Sequence, residues 1–254
     1  MALIQTLKGV TAPAGSPYYG ESWPNIGGSS LHAAYMFGNN QKMADANHYD
    51  YSFHSRKRTQ TGTPTLGSGF ATPDASNYYQ TPFSDADIVA AGTANEFTWC
   101  GVARGNGADG SLFSAEQSAD LAGFRAWISA SGTFSPHMYD ADGATGSTNP
   151  TIGGSAGLWE FFAVSFSAAQ VKAYRRNAGA SAMLTAAATP SPASVTASGA
   201  LFMMGRRTPN TNAAGGISIV TEAFYNRVMT PTEIDTIYAK IKAFLAAQTY
   251  AIAI

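Results

Sequence analysis

From residue 77 onward the chain breaks into short apolar and aromatic runs, each bounded by Gly, Asp, Asn or Ser. The runs cover residues 77 to 83, 97 to 104, 111 to 114, 123 to 129, 133 to 139, 159 to 166, 171 to 176, 200 to 204 and 216 to 225. Runs this short give no helical face to bury, but they suit strands whose side chains alternate between two sides. No helical pattern alternates with them, which argues against the parallel sheet of an α/β fold. The spacing therefore predicts an all-β chain, two antiparallel sheets packed as a sandwich. One further strand is expected at residues 31 to 37, closed by the turn cluster Gly38-Asn39-Asn40. Residues 115 to 128 also admit a helix, and that alternative stays open.

Composition bounds what such a sandwich can do. Charged residues are only 12% of the 254-residue chain, about half the usual share for a soluble domain, while 45% are hydrophobic. A net charge of -1 gives no footing for nucleic acid, which is held by Lys and Arg on phosphates. The one basic cluster, Arg56-Lys57-Arg58, reads as a solvated loop. Cys100 is the single cysteine, so no disulfide within the chain is expected. The N-terminal residues turn polar before an apolar signal segment forms, and no apolar run approaches the ~20 residues that cross a bilayer. Neither secretion nor membrane insertion is expected from this pattern.

Residues 1 to 30 read as an extended N-terminal arm anchored by Tyr18, Tyr19, Trp23 and Ile26. Residues 31 to 248 form the domain, with polar loop-like chain from 41 to 73 and an exposed Ala/Ser/Thr/Pro loop from 178 to 198. Residues 231 to 247 predict one C-terminal α-helix. Thr230, Pro231 and Glu233 have the capping-box form, and Ile234, Ile237, Tyr238, Ile241, Phe244 and Leu245 fall on one face. Residues 249 to 254 are an apolar tail without a charged side chain. Such a tail would expose a β-prone strip, so the two ends are expected to make contacts within a homo-oligomer or larger assembly.

Two motif matches fail on context. Gly105-Asn106-Gly107-Ala108-Asp109-Gly110 matches G-x-G-x-x-G, but a strand-like run follows where a dinucleotide site needs a helix N-terminus. A hairpin turn is expected there. Gly153-Gly154-Ser155-Ala156-Gly157 matches G-x-S-x-G, yet His32, His48, His54 and His137 all precede the serine, so the Ser–acid–His order of an α/β-hydrolase is absent. Glycoside hydrolysis needs two carboxyls about 5 to 9.5 Å apart. No expected strand carries two acids at same-face spacing, and Glu222 stands alone on the last one, so no enzymatic activity is expected.

Two segments offer ligand chemistry. His48, Tyr49 and Tyr51, with Tyr139, combine aromatic faces with polar tips and are the candidate carbohydrate-binding residues, with packing of the tyrosines on the sandwich as the competing and more ordinary use. Asp140 and Asp142 in Tyr139-Asp140-Ala141-Asp142-Gly143 supply oxygens in a tight turn and are the candidate calcium ligands, with an ordinary Asx turn as the alternative. No cofactor is required.

The second half of the chain resembles the laminin-G-like, concanavalin A-like jelly-roll family. The resemblance rests on Trp159-Glu160-Phe161-Phe162-Ala163-Val164-Ser165-Phe166, its hairpin partner from Val171 to Asn177, the block Ala200-Leu201-Phe202-Met203-Met204-Gly205, and the closing run from Gly216 through Ile234. It spans about residues 90 to 245 and departs at Asn177-Ala178-Gly179, where the family places Asn-Gly directly. The resemblance implies a two-sheet jelly-roll sandwich and a non-catalytic lectin-like module that binds carbohydrate on a host surface. A sugar-binding fold without secretion signal or disulfide points to a phage virion component, associated with a tail or fibre, made in the host cytoplasm and released by lysis. Its partners would be other virion proteins, further copies of the chain and a host glycan, with no nucleic acid and no membrane insertion. A purely structural decoration protein and a glucanase-like glycoside hydrolase are the alternatives.

Overall fold

A computed structural model describes residues 30–38, 50, 52, 54, 56–90, 96–116, 123–139, 149–190, 199–206, 216–248 and 252–254, the side chains of Ala90 and Tyr139 excepted. The strands are β1 Leu31–Met36, β2 Thr59–Thr61, β3 Thr65–Gly67, β4 Phe70–Thr72, β5 Tyr78–Ser84, β6 Phe97–Gly105, β7 Gly110–Glu116, β8 Gly123–Ile128, β9 Phe134–Tyr139, β10 Glu160–Phe166, β11 Val171–Asn177, β12 Leu184–Ala188, β13 Leu201–Met204 and β14 Ile217–Tyr225. Helix α1 is Asp85–Ala90 and α2 is Pro231–Ala246. Every strand pair is antiparallel. One sheet has eight strands, ordered β12-β11-β10-β6-β14-β4-β3 with β1 also on β14; the other has six, ordered β2-β5-β13-β7-β8-β9. This is the two-sheet antiparallel sandwich that the strand pattern predicts and the jelly-roll resemblance implies.

Between the sheets lies a phenylalanine-rich core. Phe97 stacks on Phe166 at 4.8 Å and meets Phe124 edge-on at 4.9 Å, while Phe202 packs on Phe224 at 4.9 Å. Strand β10 shows why the apolar run from 161 to 166 has no polar face. Phe162, Val164 and Phe166 enter this core, whereas Phe161 and Ala163 point the other way, into a second core beneath α2. Thr230 accepts from the Glu233 backbone N–H and the Glu233 side chain reaches back, which closes the predicted capping box. Ile234, Ile237, Tyr238, Ile241 and Leu245 are the face that α2 buries, each contributing roughly 1.5 to 3 kcal/mol of gross burial.

Several expectations are corrected. Residues 115 to 128 hold the end of β7 and all of β8, so the helical alternative falls. The polar stretch from 41 to 73 contains β2, β3 and β4, and the expected loop from 178 to 198 contains β12. Residues 105 to 110 join strands of different sheets, so the turn crosses the sandwich and is not a hairpin. The basic cluster is not a solvated loop. Lys57 is exposed, but Arg58 is buried with its guanidinium 3.6 Å from the Phe37 ring centroid and 4.4 Å from that of Tyr79, and its Nη2 donates to the Met36 carbonyl. Extended chain alternates, so one of the three basic residues is drawn inside.

The C-terminal end also differs from expectation. Ile252 and Ile254 are buried in the core under α2, and the Ile254 carbonyl accepts from the Tyr238 hydroxyl at 3.2 Å. Ile252 and Ile254 thus find cover in their own chain, and these two side chains do not call for contacts between copies.

Candidate functional site

Helix α2 covers the outer face of the eight-stranded sheet over β1, β6, β10 and β14. The outer face of the six-stranded sheet carries no described helix, so its side chains are where a sheet-built site can stand. Alternation and register place three rows there. The first runs Gln80, Met203, Ser114, Arg125, His137; the second Ser111, Trp127, Ser135; the third Glu116, Gly123, Tyr139. Gly123 puts no side chain between its two neighbours. Its φ of +131° and a Cβ that would fall 1.9 Å from the Ala115 carbonyl oxygen leave room for glycine alone.

Within these rows a polar chain runs across β8 and β9. The Trp127 indole N–H donates to His137 Nε2 at 2.9 Å, and the Asn149 amide lies 2.6 Å from His137 Nδ1. An indole can only donate, so Nε2 must be the unprotonated nitrogen and the neutral ring carries its proton on Nδ1. That proton requires the Asn149 amide to meet it with its oxygen. Asn149 thereby pins the chain end that follows residues 140 to 148 to the same face that β9 enters. Beside this chain Arg125 pairs with Glu116 at 3.6 Å, both buried, and its guanidinium lies 5.7 Å from the Trp127 ring centroid. The face therefore offers a partly exposed aromatic plane, an imidazole, an amide and a charge pair. No nucleophile–base dyad occurs in it among the described residues.

Of the expected carbohydrate residues, His48, Tyr49 and Tyr51 lie outside the described residues. Tyr139 ends β9 opposite Gly123, in the row beside His137. Asp140 and Asp142, the expected calcium ligands, also lie outside, and no cluster of three or more His, Cys, Asp or Glu with metal-binding geometry occurs among the described residues. The neighbour of Tyr49 and Tyr51, Asp50, has a structural role. Its buried carboxylate accepts from the backbone N–H groups of Ala34, Ser52 and Arg56 at 2.9 to 3.0 Å and fastens this segment to β1. Trp127, His137, Asn149 and Arg125 escaped the sequence reading. The period-two spacing of Arg125 and Trp127, and of Ser135, His137 and Tyr139, was the available signal, but nothing local tells which face is solvent-facing.

The two buried carboxylates nearest to catalytic interest are both withdrawn from solvent. Glu160 pairs with Arg175, whose Nη1 also donates to the carbonyls of Gly132 and Ile152. Gly154 of the G-x-S-x-G match sits against this guanidinium, where a Cβ would fall 1.3 Å from Nη1, so that glycine serves packing. Glu222 points between the sheets. A bulge between Ile219 and Thr221 shifts the register by one residue and turns Glu222 and Phe224 to the inner side. There it is fully buried, with the Trp99 indole N–H facing it outside full hydrogen-bond geometry. Burial holds its pKa well above the usual carboxyl value, with the Arg58 charge and the Trp99 indole opposing the rise.

No family model matches this chain, and no curated protein does. Solved structures do. The botulinum neurotoxin serotype C1 binding domain superposes with a TM-score of 0.59 at 10% identity, over 82% of this chain and 52% of that one. The binding domain of botulinum neurotoxin DC in complex with SialylT gives 0.59 at 10% identity, over 87% and 52%. A Trypanosoma rangeli sialidase in complex with sialic acid gives 0.57 at 11% identity, over 87% and 34%. At such identities the likeness is one of fold: this chain shares their two-sheet β-sandwich. It spans about half the length of the toxin binding domains and a third of the sialidase.

Proposed function

We propose that the protein is a non-catalytic carbohydrate-binding module whose glycan lies on the outer face of the six-stranded sheet, across Trp127 and His137. The observation that carries this reading is the Trp127–His137–Asn149 chain on the sheet face without a described helix. An indole plane takes the apolar face of a pyranose, while His137, both of whose ring nitrogens are bonded, fixes that plane and leaves the sugar hydroxyls to polar side chains of the neighbouring rows. The lectin-like sandwich supports the reading as a fold-level analogy. The engagement of Glu160 with Arg175 and the inward turn of Glu222 support a binding role over a hydrolytic one.

The test is a glycan array on the full chain and on Trp127→Ala, followed by titration with the best ligand. Trp127→Ala should weaken binding about tenfold or more, equivalent to about 1.4 kcal/mol, with the melting curve unchanged. Absence of any array signal, or a variant that binds as the parent does, would favour a purely structural protein. Release of reducing sugar from a polysaccharide would instead favour the glucanase-like alternative.

The wider setting in this reading is a phage virion, with other virion proteins and further copies of the chain as neighbours. A free, buried Cys100 in a chain with a single cysteine supports it, because proteins exported to oxidising surroundings commonly carry disulfides. Mass spectrometry of purified particles checks the setting.

A further inference from the structure

We infer that Arg104, lying against the paired rings of Trp159 and Phe70 on the outer face of the eight-stranded sheet, anchors a second binding site, for a carboxylate-bearing sugar. Its guanidinium carbon lies 4.6 Å from the Trp159 ring centroid and 5.7 Å from that of Phe70, and the two rings are 5.3 Å apart. Phe70 and Trp159 pack at the margin of the core that α2 covers, and Arg104 stands half-exposed beside them. The rings hold the fork of N–H donors in place without accepting from it.

What sets Arg104 apart is what it lacks. Arg175, Arg227 and Arg125 pair with carboxylates, and Arg56, Arg58 and Arg176 donate to carbonyls. Arg104 and Arg206 alone among the described arginines donate to no described acceptor. Arg206 leads into residues 207 to 215, outside the description, whereas β4, β6 and β14 around Arg104 are described throughout. Ser218, the cross-strand partner of Arg104, shares hydrogen bonds with Thr72 at 2.8 Å and with Asn106 at 3.2 Å. These groups supply neutral donors and acceptors beside the cation.

The chemistry selects the ligand. A planar guanidinium takes a carboxylate through two parallel hydrogen bonds. A phosphate monoester carries about -1.5 to -2 charge and would call for a second cation, and none accompanies Arg104 in this cluster. An aromatic pair with hydroxyl and amide neighbours suits a saccharide body. The site lies on a different sheet from Trp127 and His137 and does not rest on the glycan reading proposed for them.

The experiment titrates the full chain with glucuronic acid and N-acetylneuraminic acid, with glucuronamide as the neutral control, following the Trp159 indole N–H by NMR. The acids should shift that signal, and the amide should bind about tenfold more weakly or worse. Arg104→Met should lose the acid response about tenfold or more, Arg104→Lys should retain part of it, and Trp127→Ala should leave it unchanged. A matching melting curve for Arg104→Met excludes unfolding as the cause. Equal binding of acid and amide, undiminished binding by Arg104→Met, or no shift at tens of millimolar acid overturns the inference.

Discussion

Replacing Glu222 by Gln isolates a carboxyl that the fold takes fully out of water. In the unfolded chain this group ionises near its ordinary value of 4.5, whereas burial raises it well above that in the sandwich. As pH rises, the unfolded state releases the proton first. The stability tied to this group is therefore fully present below 4.5 and is lost as pH climbs toward the folded value. The slope is about 1.4 kcal/mol per pH unit. Glutamine keeps nearly the shape of the neutral acid and does not titrate. The variant should match the wild type within about 1 kcal/mol around pH 4. Above about pH 4.5 it should gain on the wild type along that slope, until the folded carboxyl itself ionises. His32 titrates in both proteins and cancels in the difference. Urea unfolding followed by tryptophan fluorescence, in steps from about pH 4 to 8, measures it. A difference that stays flat with pH refutes the reasoning. So does a loss at neutral pH of about 3 to 5 kcal/mol, the cost of breaking a buried ion pair with Arg58.

The remaining predictions concern stability. His32, buried edge-on against Phe83 at 4.6 Å, has its pKa lowered from 6.5 to about 4 by burial, with Arg56 and His54 adding to it. Above 6.5 both states are neutral. As pH falls from 6.5 to 4 the unfolded state protonates first, so about 3 kcal/mol of stability should be lost, and His32→Gln should flatten that limb of the profile. Thr230→Ala removes the α2 cap and should cost about 1 kcal/mol by thermal or urea melting. Deleting residues 252 to 254 uncovers the core under α2 and should cost several kcal/mol, at about 1.5 to 3 for each of Ile252 and Ile254, without changing the mass seen by light scattering. A truncation that melts with the parent but loses oligomer mass would restore the assembly role that the tail's composition first implied.

Local pattern was enough for most strands and for α2. Alternation in the run from 123 to 128 and the doubly apolar run from 161 to 166 specify how many faces are buried, and Thr230, Pro231 and Glu233 mark a helix start within one turn. The sandwich follows, because such strands have no other way to cover their apolar sides. Strands β2, β3 and β12 are short and largely exposed, so no apolar pattern announces them; pairing with β5, β4 and β11 makes them strands. The same limit governs the candidate sites. Trp127 and His137 are two residues among many aromatic and polar ones until β8 and β9 pair in register. Arg104 meets Trp159 and Phe70 only because β4, β14, β6 and β10 lie in one sheet. The inward turn of Glu222 hangs on a single-residue bulge in β14, and the fate of Arg58 on the rings of Phe37, just past β1, and Tyr79 of β5. Sequence periodicity states that a strand has two faces. Which of them meets water is decided by partners as far apart in the chain as Tyr35 and Thr221, where the carbonyl of one accepts from the hydroxyl of the other across 186 positions.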